Sequence, residues 1–522
     1  MKSFATVKRE YILTCCYILG LAMFFLFFSA CNEEIDIPKV DIPNEDLIAR
    51  NNSTYDIVVL GAGAGGIGAA YALKDSGLKV LLIDRMGRIG GTHINAWVNV
   101  FAESVPPVFF KSIVQRGFQR ELVKYVDASY QDFLPPLVPS YNSTYLPARF
   151  TSKKIGYASS IYFDVDGLFQ IYKEDLAGKI DILLNSQFVD IEQYSDGRLS
   201  SIKLNSTIGR DVGIINAKFF IDCTDGQIIR KINKVEGEDF FLGEDAKSRY
   251  LQSYGFTETN YVDTNPQFLS APTLIYRIEN GTEDLRKTKS QFGIDGLIYG
   301  DQNNSRFYVN SVHFLEITGF DVIKKGEGSV YKTLLSRTIN HWAAVKAGNS
   351  KRFSNINLKD MRFSDNAPML GVRETYRIAC ERMLNENSLY NKVTVNNYNH
   401  SNPLDKIIAI GSHSIDIHGA DNGLNVQEIS KGIKPYGVPF GCIIPKKLKN
   451  VLIASKASGM THIAAGSFRL NKNIMNLGYT AGKAALLVQK YKVEDVRDIP
   501  ADELLVEIEI LKTLKQIENI AD

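Results

Sequence analysis

Three observations in the 522-residue sequence predict an α/β fold. A β-branched run at 55–60 leads into Gly-x-Gly-x-x-Gly, a helix-forming stretch and a second apolar run that ends in an acid. Short strand-like runs separated by turn residues occupy 180–222. Another strand-like run at 450–454 and a small-residue helical stretch come far downstream. Strand and helix signals that alternate in this way make a parallel sheet covered by helices. The architecture expected is a Rossmann-type domain built from discontinuous segments, with a mixed α/β cap or substrate domain inserted between them.

Hydrophobic residues make up 45% and charged residues 23% of the chain, a globular balance that excludes disorder as its main state. With 60 Lys+Arg against 58 Asp+Glu, the chain lacks the basic excess of a nucleic-acid binder, and no nucleic-acid partner is expected. Six Cys in this length do not make a disulfide scaffold.

Residues 11–30 carry no charge, come after Lys2, Lys8 and Arg9, and end at Phe28-Ser29-Ala30-Cys31. A basic start, an apolar core and small residues before a cut form a secretory signal. Phe28–Cys31 resembles the lipobox of bacterial lipoproteins, which implies that residues 1–30 are removed and that Cys31 becomes the lipidated first residue. An uncleaved anchor is the other reading, because ~20 apolar residues span a bilayer. Both readings place the remainder outside the cytoplasm, in the periplasm or on the cell surface, tethered to a membrane. Residues 31–53, polar and with Pro, read as the tether. Loss of Lys2, Lys8, Arg9 and Glu10 with the signal leaves the other charges balanced. Besides Cys31, only Cys223, Cys380 and Cys442 then remain, too few and too scattered for an iron–sulfur centre or a zinc site, so no metal is expected.

Tyr55–Leu60 reads as a buried parallel strand. Gly61-Ala62-Gly63-Ala64-Gly65-Gly66 comes next, then a helix with Ala69, Ala70 and Leu73 toward the sheet, then a strand Lys79–Ile83 and Asp84. This order is the dinucleotide fingerprint. Gly61 serves the tight turn, Gly63 lets the backbone approach a pyrophosphate, and Gly66 lets helix and strand pack closely; Ala62 and Gly65 complete the loop. The helix N-terminus offers N–H groups and positive dipole to phosphate. Asp84, ~20 residues on, is placed to accept hydrogen bonds from ribose hydroxyls. The fingerprint alone does not separate NAD from FAD. Arg85-Met86-Gly87-Arg88-Ile89-Gly90-Gly91-Thr92 resembles the second, Gly-Gly motif of FAD-dependent oxidoreductases with the glutathione-reductase-like fold. That resemblance implies FAD as cofactor, with Arg85, Gly90, Gly91 and Thr92 against it.

Residues 180–222 read as a small meander of IDILLN, FVDIEQY, LSSIKLN and FFIDC, with Asp196-Gly197 as a hairpin turn. Its last strand, running into Cys223-Thr224-Asp225-Gly226, resembles the family's Ala-Thr-Gly-Asp strand with a changed order. The resemblance implies cofactor contacts at Thr224 and Asp225 and a backbone contact from Val189 to adenine. Gly371-Val372-Arg373-Glu374-Thr375-Tyr376-Arg377-Ile378 resembles a segment of the group related to the flavin part of heterodisulfide reductase. Taken without that resemblance it is a charged helix face, with Arg373 and Arg377 one turn apart. By resemblance, Arg373 orients substrate or flavin. Asn450–Ala454 reads as a strand, Gly459–Ser467 as a loop of small residues, and Met475–Ala485 as a small-residue helix. In the family this helix points its N-terminus at the flavin's pyrimidine end, which implicates Asn476 and Leu477. A helix N-terminus there stabilises the negative charge of reduced flavin.

Ser412–Gly419 is the candidate segment for proton chemistry. If it is extended, Ser414, Asp416 and His418 share one face. An acid beside an imidazole suits proton transfer coupled to hydride transfer, with the carboxylate favouring imidazolium. An exposed polar strand face has the same alternation. The subfamily's similar Asp-x-His-Gly segment favours catalytic roles for Asp416 and His418. Tyr436–Gly441 resembles a segment near the flavin, and His93 and His462 are placed by sequence where they could approach it.

The boundaries expected are a first FAD-binding part at 54–231, a cap at 232–365, an FAD-domain segment with an Arg-containing helix at 366–400, an active-site segment at 401–435, a C-terminal FAD-binding part at 436–490 and a helical tail at 491–522. The function implied is an exported, membrane-tethered FAD-dependent oxidoreductase that moves a hydride between flavin and a small organic substrate, such as a carbohydrate-derived one. The sequence offers no second Gly-rich βαβ unit for a nicotinamide cofactor. Electrons are therefore expected to go to oxygen, a quinone or a redox protein. The competing readings are a flavin-dependent lyase or isomerase without net redox, and a binding lipoprotein on a degenerate flavin fold. The intact glycines and Asp84 count against the last.

Overall fold

The computed structural model describes residues 52–101, 161–209, 213–232, 306–310, 316–347, 357–418 and 426–521 continuously, with shorter stretches between 105 and 126 and between 238 and 300. The expected signal at 1–30, Cys31 and nearly all of the tether lie outside the described residues. The described residues all belong to one compact unit, residues 46–522.

The central sheet contains β1 (Ser53–Leu60), β2 (Val80–Ile83), β3 (Asp181–Leu183), β4 (Ser186–Gln193), β5 (Leu199–Ser206), β6 (Gly213–Asp222) and β7 (Val451–Ile453). Strands β3, β2, β1, β6 and β7 lie side by side in that order, all parallel. Their Val, Ile and Leu residues are buried almost throughout, as strands covered on both faces require. The outer edge of β6 is divided. Residues 213–216 pair antiparallel with β5, and residues 220–222 pair parallel with β7.

The meander accordingly has three strands, β4 to β6. Asp181–Leu183, expected as its first strand, instead joins the parallel sheet beside β2. Short apolar runs suit either neighbour; here Asn185, at φ 54, breaks the chain between β3 and β4.

The helices that matter for the site are α1 (Ala64–Leu73), α2 (Gly319–Lys325), α3 (Glu327–Ala347), α4 (His462–Phe468) and α5 (Asn471–Tyr491). Helix α1 is buried along its whole length, not only at Ala69, Ala70 and Leu73. It packs against α5. Two glycines permit the contact: a Cβ on Gly478 would stand 1.8 Å from the Gly65 carbonyl oxygen, and a Cβ on Gly68 would stand 2.1 Å from that of Met475.

In the inserted region, Leu297–Gly300, Arg306–Asn310, Tyr276–Asn280 and Met361–Asn366 form an antiparallel sheet in that order. Trp342 and Val345 of α3 pack on Tyr276, Val309 and Met361. A capping box between Thr318 and Asp321 starts α2.

Three local expectations are corrected. The Arg-containing segment is not a helix: Tyr376–Ile378 is a strand paired antiparallel with Phe240–Leu242. Tyr376 and Ile378 are β-formers with a sheet edge to join, and that outweighs a solvent-side Arg pair. Within the expected loop at 459–467, α4 forms, because the Thr461 side chain caps it by accepting from the Ala464 N–H. Helix α5 begins at Asn471, a turn earlier than the small-residue pattern suggested. Among the described residues, no helix is long and apolar enough to cross a membrane.

Candidate functional site

A cavity of about 460 Å3 opens across the C-terminal ends of β1, β2, β6 and β7, where Leu60, Ile83, Cys223 and Ser455 line it. That volume is in the range of cofactor and ligand pockets, and the position is the usual one for a nucleotide in an open parallel sheet.

The first wall is the fingerprint loop. Gly63 is the N-cap of α1, with no side-chain cap and no acid in the first turn. A Cβ added at Gly63 would meet nothing within 4 Å, so this Cα faces open space. Gly91, at φ +51, presses on the other side: its Cβ would stand 2.6 Å from the Gly63 Cα. Asp84 lines the cavity, and its carboxylate holds the loop, accepting from the Ala62 N–H at 2.6 Å and from the Met86 N–H at 2.8 Å. Burial pushes the Asp84 carboxyl above its ordinary value against those two donors. Ala62, Gly66 and Gly90 shape the loop without lining the cavity, the Gly90 N–H donating to the Ala62 carbonyl. Arg85 lines it and pairs with Glu327 of α3, which brings the inserted region to this end.

The second wall comes from β4 and β6. Ser186, Gln187 and Phe188 line the cavity; Val189 does not. The reason is a bulge: Phe188 pairs with Leu204 and Asp190 with Lys203, leaving Val189 as the extra residue. Thr224 and Asp225 line it as expected. Asp225 accepts from Arg230 at 2.8 Å on one oxygen, while its buried Oδ1 has no partner among the described residues. An uncapped helix N-terminus beside an open glycine Cα suits a pyrophosphate. A buried acceptor without a donor suits a ligand hydroxyl. These features fit FAD.

At the inner end stand Thr92, Val372, Glu374 and Lys456. Glu374 is deeply engaged. It pairs with the fully buried Arg377, and both its oxygens bond His462 Nδ1, at 2.8 and 2.9 Å. Burial would raise the Glu374 carboxyl, but His462 and Arg377 prevail and lower it. Lys456 Nζ donates to the Val372 carbonyl at 2.9 Å and reaches Thr92 Oγ1 at 3.5 Å. Burial, with Arg469 and Arg373 adding like charge, brings Lys456 down to about 7.

Asp416 and His418 come together, His418 Nε2 lying 2.9 Å from Asp416 Oδ2. Arg469 clasps the same residue, donating to the Asp416 backbone oxygen at 2.6 Å and to Oδ2 at 2.8 Å. Burial opposes ionisation of Asp416, but Arg469 and His418 hold it well below the usual carboxylate range. For His418, burial and then Arg373 outweigh Asp416 and push the imidazole down to about 4. Asp416 favours the imidazolium, as expected, but burial and Arg373 act against the charge on this ring. Its Nε2 donates to the ionised Asp416, which leaves Nδ1 as an acceptor. Arg373 donates to the Ala271 carbonyl at 2.5 Å, and the Ala271 N–H donates to the His418 carbonyl at 3.0 Å.

Asp416, His418 and Arg373 do not line the cavity, and other expected residues also fall elsewhere. Asn476 donates to the Val105 carbonyl at 2.9 Å and Leu477 is in the core, and neither lines the cavity. Because α5 starts earlier, Asn471 and Ile474 line it instead. His93 is 3.0 Å from the Tyr172 hydroxyl in a cluster with Phe101 and Phe163. Tyr436 bonds Ser467 at 2.6 Å within the core. Sequence reasoning missed Lys456, although it is the lone Lys, Arg, Asp or Glu between Val451 and Phe468.

Fold and cavity together define a flavin-type dinucleotide-binding oxidoreductase. The chain belongs to the FAD dependent oxidoreductase family, whose model matches residues 56–508. It is an FAD-dependent enzyme, and the binding-protein reading is set aside. A curated relative, a 4,4'-diapophytoene desaturase (4,4'-diapolycopene-forming) of Methylomonas sp, is 30% identical over 95 residues, a stretch that spans 18% of this chain and 18% of that enzyme. Among solved structures, a geranylgeranyl bacteriochlorophyll reductase-like protein of Thermoplasma acidophilum is 12% identical, with 90% of this chain and 88% of that one covered and a TM-score of 0.38. L-Amino acid deaminase of Proteus myxofaciens, solved with anthranilate, is 11% identical, with 86% and 93% covered and a TM-score of 0.37.

Proposed function

We propose that this oxidoreductase oxidises a small organic substrate, with His418 accepting the proton that leaves as the hydride leaves. The observation that carries this reading is the contact of His418 Nε2 with Asp416, itself held by Arg469, which leaves Nδ1 free of the carboxylate. Bound FAD supplies the hydride acceptor. The C–H bond of the substrate breaks with its electron pair, the adjacent O–H or N–H proton passes to His418 Nδ1, and a C=O or C=N bond forms. Asp416 fixes the tautomer, and Arg469 keeps Asp416 ionised. Arg373 acts through Ala271 to place the His418 segment. The electrons then pass to oxygen, a quinone or a redox protein. Residues 11–31 support export and a membrane tether through Cys31.

Purified holoprotein titrated anaerobically with alcohols, sugars and amines should bleach in the visible with its substrate. Product without bleaching would point to the lyase or isomerase reading. His418→Ala should keep its flavin and lose ~10²–10⁴-fold in turnover; unchanged turnover would remove His418 from the mechanism. Cys31→Ser should move the protein from the membrane to the soluble fraction, and a variant that stays membrane-bound would count against lipidation.

A further inference from the structure

Lys456 lines the cavity that fits FAD, beside Thr92. The carboxylates at that end are already engaged, Glu374 by Arg377 and His462, and Asp416 by Arg469 and His418. The anion that Lys456 faces is therefore the cofactor's own. FAD offers two: a diphosphate at all times, and the flavin ring once it is reduced.

The order of contacts along the cavity separates them. Asp84, placed for a ribose, bonds the Ala62 N–H, and the Cβ of a residue at 91 would press on the Gly63 Cα. Thr92 comes next, and Lys456 Nζ lies 3.5 Å from Thr92 Oγ1 and 2.9 Å from the Val372 carbonyl. A dinucleotide with its ribose at Asp84 and its diphosphate at Gly63 carries its flavin on toward Thr92 and Lys456. The diphosphate has donors of its own in the uncapped N-terminus of α1. Asn476 and Leu477, expected to bring α5 to the flavin, do not line the cavity. We propose that Lys456 is the counter-ion of the reduced flavin and so sets how readily the cofactor takes electrons. This deepens the redox reading of the same site. The oxidised ring is neutral, whereas a hydride brings two electrons and one proton and leaves one negative charge. An ammonium beside the ring is attracted to it only after that change. Arg373 and Arg469 add positive charge at the same end.

The test measures the midpoint potential of bound FAD against a dye of known potential, with dithionite in place of substrate. The unaltered protein should bind reduced FAD at least ~10-fold more tightly than oxidised FAD, which places the bound potential about 30 mV or more above that of free FAD. Lys456→Met should lose ~10-fold or more of that preference, a fall of about 30 mV, and still bind oxidised FAD. Lys456→Arg should keep most of the preference, because the charge remains. A bound potential at or below that of free FAD overturns the proposal whether or not a variant folds. So does a Lys456→Met protein with the unaltered potential. So does one that sheds oxidised FAD, which would give Lys456 to the diphosphate. Dithionite makes these outcomes independent of substrate. The expected potentials in a protein that no alcohol, sugar or amine bleaches would overturn the redox reading and leave the counter-ion standing.

Discussion

Gly63 and Gly65 sit two positions apart in one loop and answer to different demands. Alanine at 63 meets no protein atom, but its methyl group enters the space a cofactor needs. Alanine at 65 meets the Ala454 carbonyl oxygen. Gly63→Ala should therefore change stability by less than ~1 kcal/mol and still lose bound flavin, read as the ratio of visible to ultraviolet absorbance. Gly65→Ala should cost about 3 kcal/mol or more, because the carbonyl it strikes is part of the backbone. A Gly63→Ala protein that retains full flavin would place the cofactor elsewhere. The fingerprint glycines and Asp84 were legible because their spacing is local. Lys456 and the Glu374–Arg377–His462 group were not. Each looks like an ordinary surface charge until segments far apart in sequence close over it, and burial, not residue type, gives it its chemistry.

At the level of elements, strands β1 and β2 could be read directly, since short runs of Val, Ile and Leu before glycine turns have few other uses. The Tyr376–Ile378 strand could not, because its partner Phe240–Leu242 is more than a hundred positions away and the Arg spacing imitates a helix. Val189 was misplaced for a subtler reason, a bulge that no local pattern announces. The contact of α1 with α5 gives the clearest test. Gly478→Ala drives a Cβ onto the Gly65 oxygen. It should lower the melting temperature about as much as Gly65→Ala. Combined with Gly68→Ala, whose Cβ would strike the Met475 carbonyl oxygen of α5, it should lose less than the sum of the two, since one separation of the helices relieves both clashes. Additive losses would mean that the two glycines serve separate contacts.

For the whole molecule, a parallel sheet drawn from segments far apart in the chain was legible, as was a region inserted between them. Its internal sheet was not, for lack of any motif. Acid sensitivity also belongs to this scale. His418 and His93 are held down to about 4 and about 3 from an ordinary 6.5. The unfolded chain thus binds protons that the folded one refuses. Stability contributed by these groups is present above 6.5 and is lost as pH falls through about 4 and then 3. Melting temperature against pH should fall across that window, and His418→Ala should flatten its upper part. An unaltered slope in that variant would mean that His418 titrates normally in the fold.

The divided edge of β6 also sets an order of events. The loop that cradles the cofactor comes before β6 in the chain, but its far wall waits for β7 and α5, more than two hundred residues after β6. Between the two, β6 carries an unpaired half-edge and α1 lacks the helix that covers it. Long-range closure of this kind is slow and leaves apolar surface exposed meanwhile. A nascent chain can therefore close this cavity only once α5 has emerged. With β7 in place, the sheet edge and the far wall of the cavity arrive together.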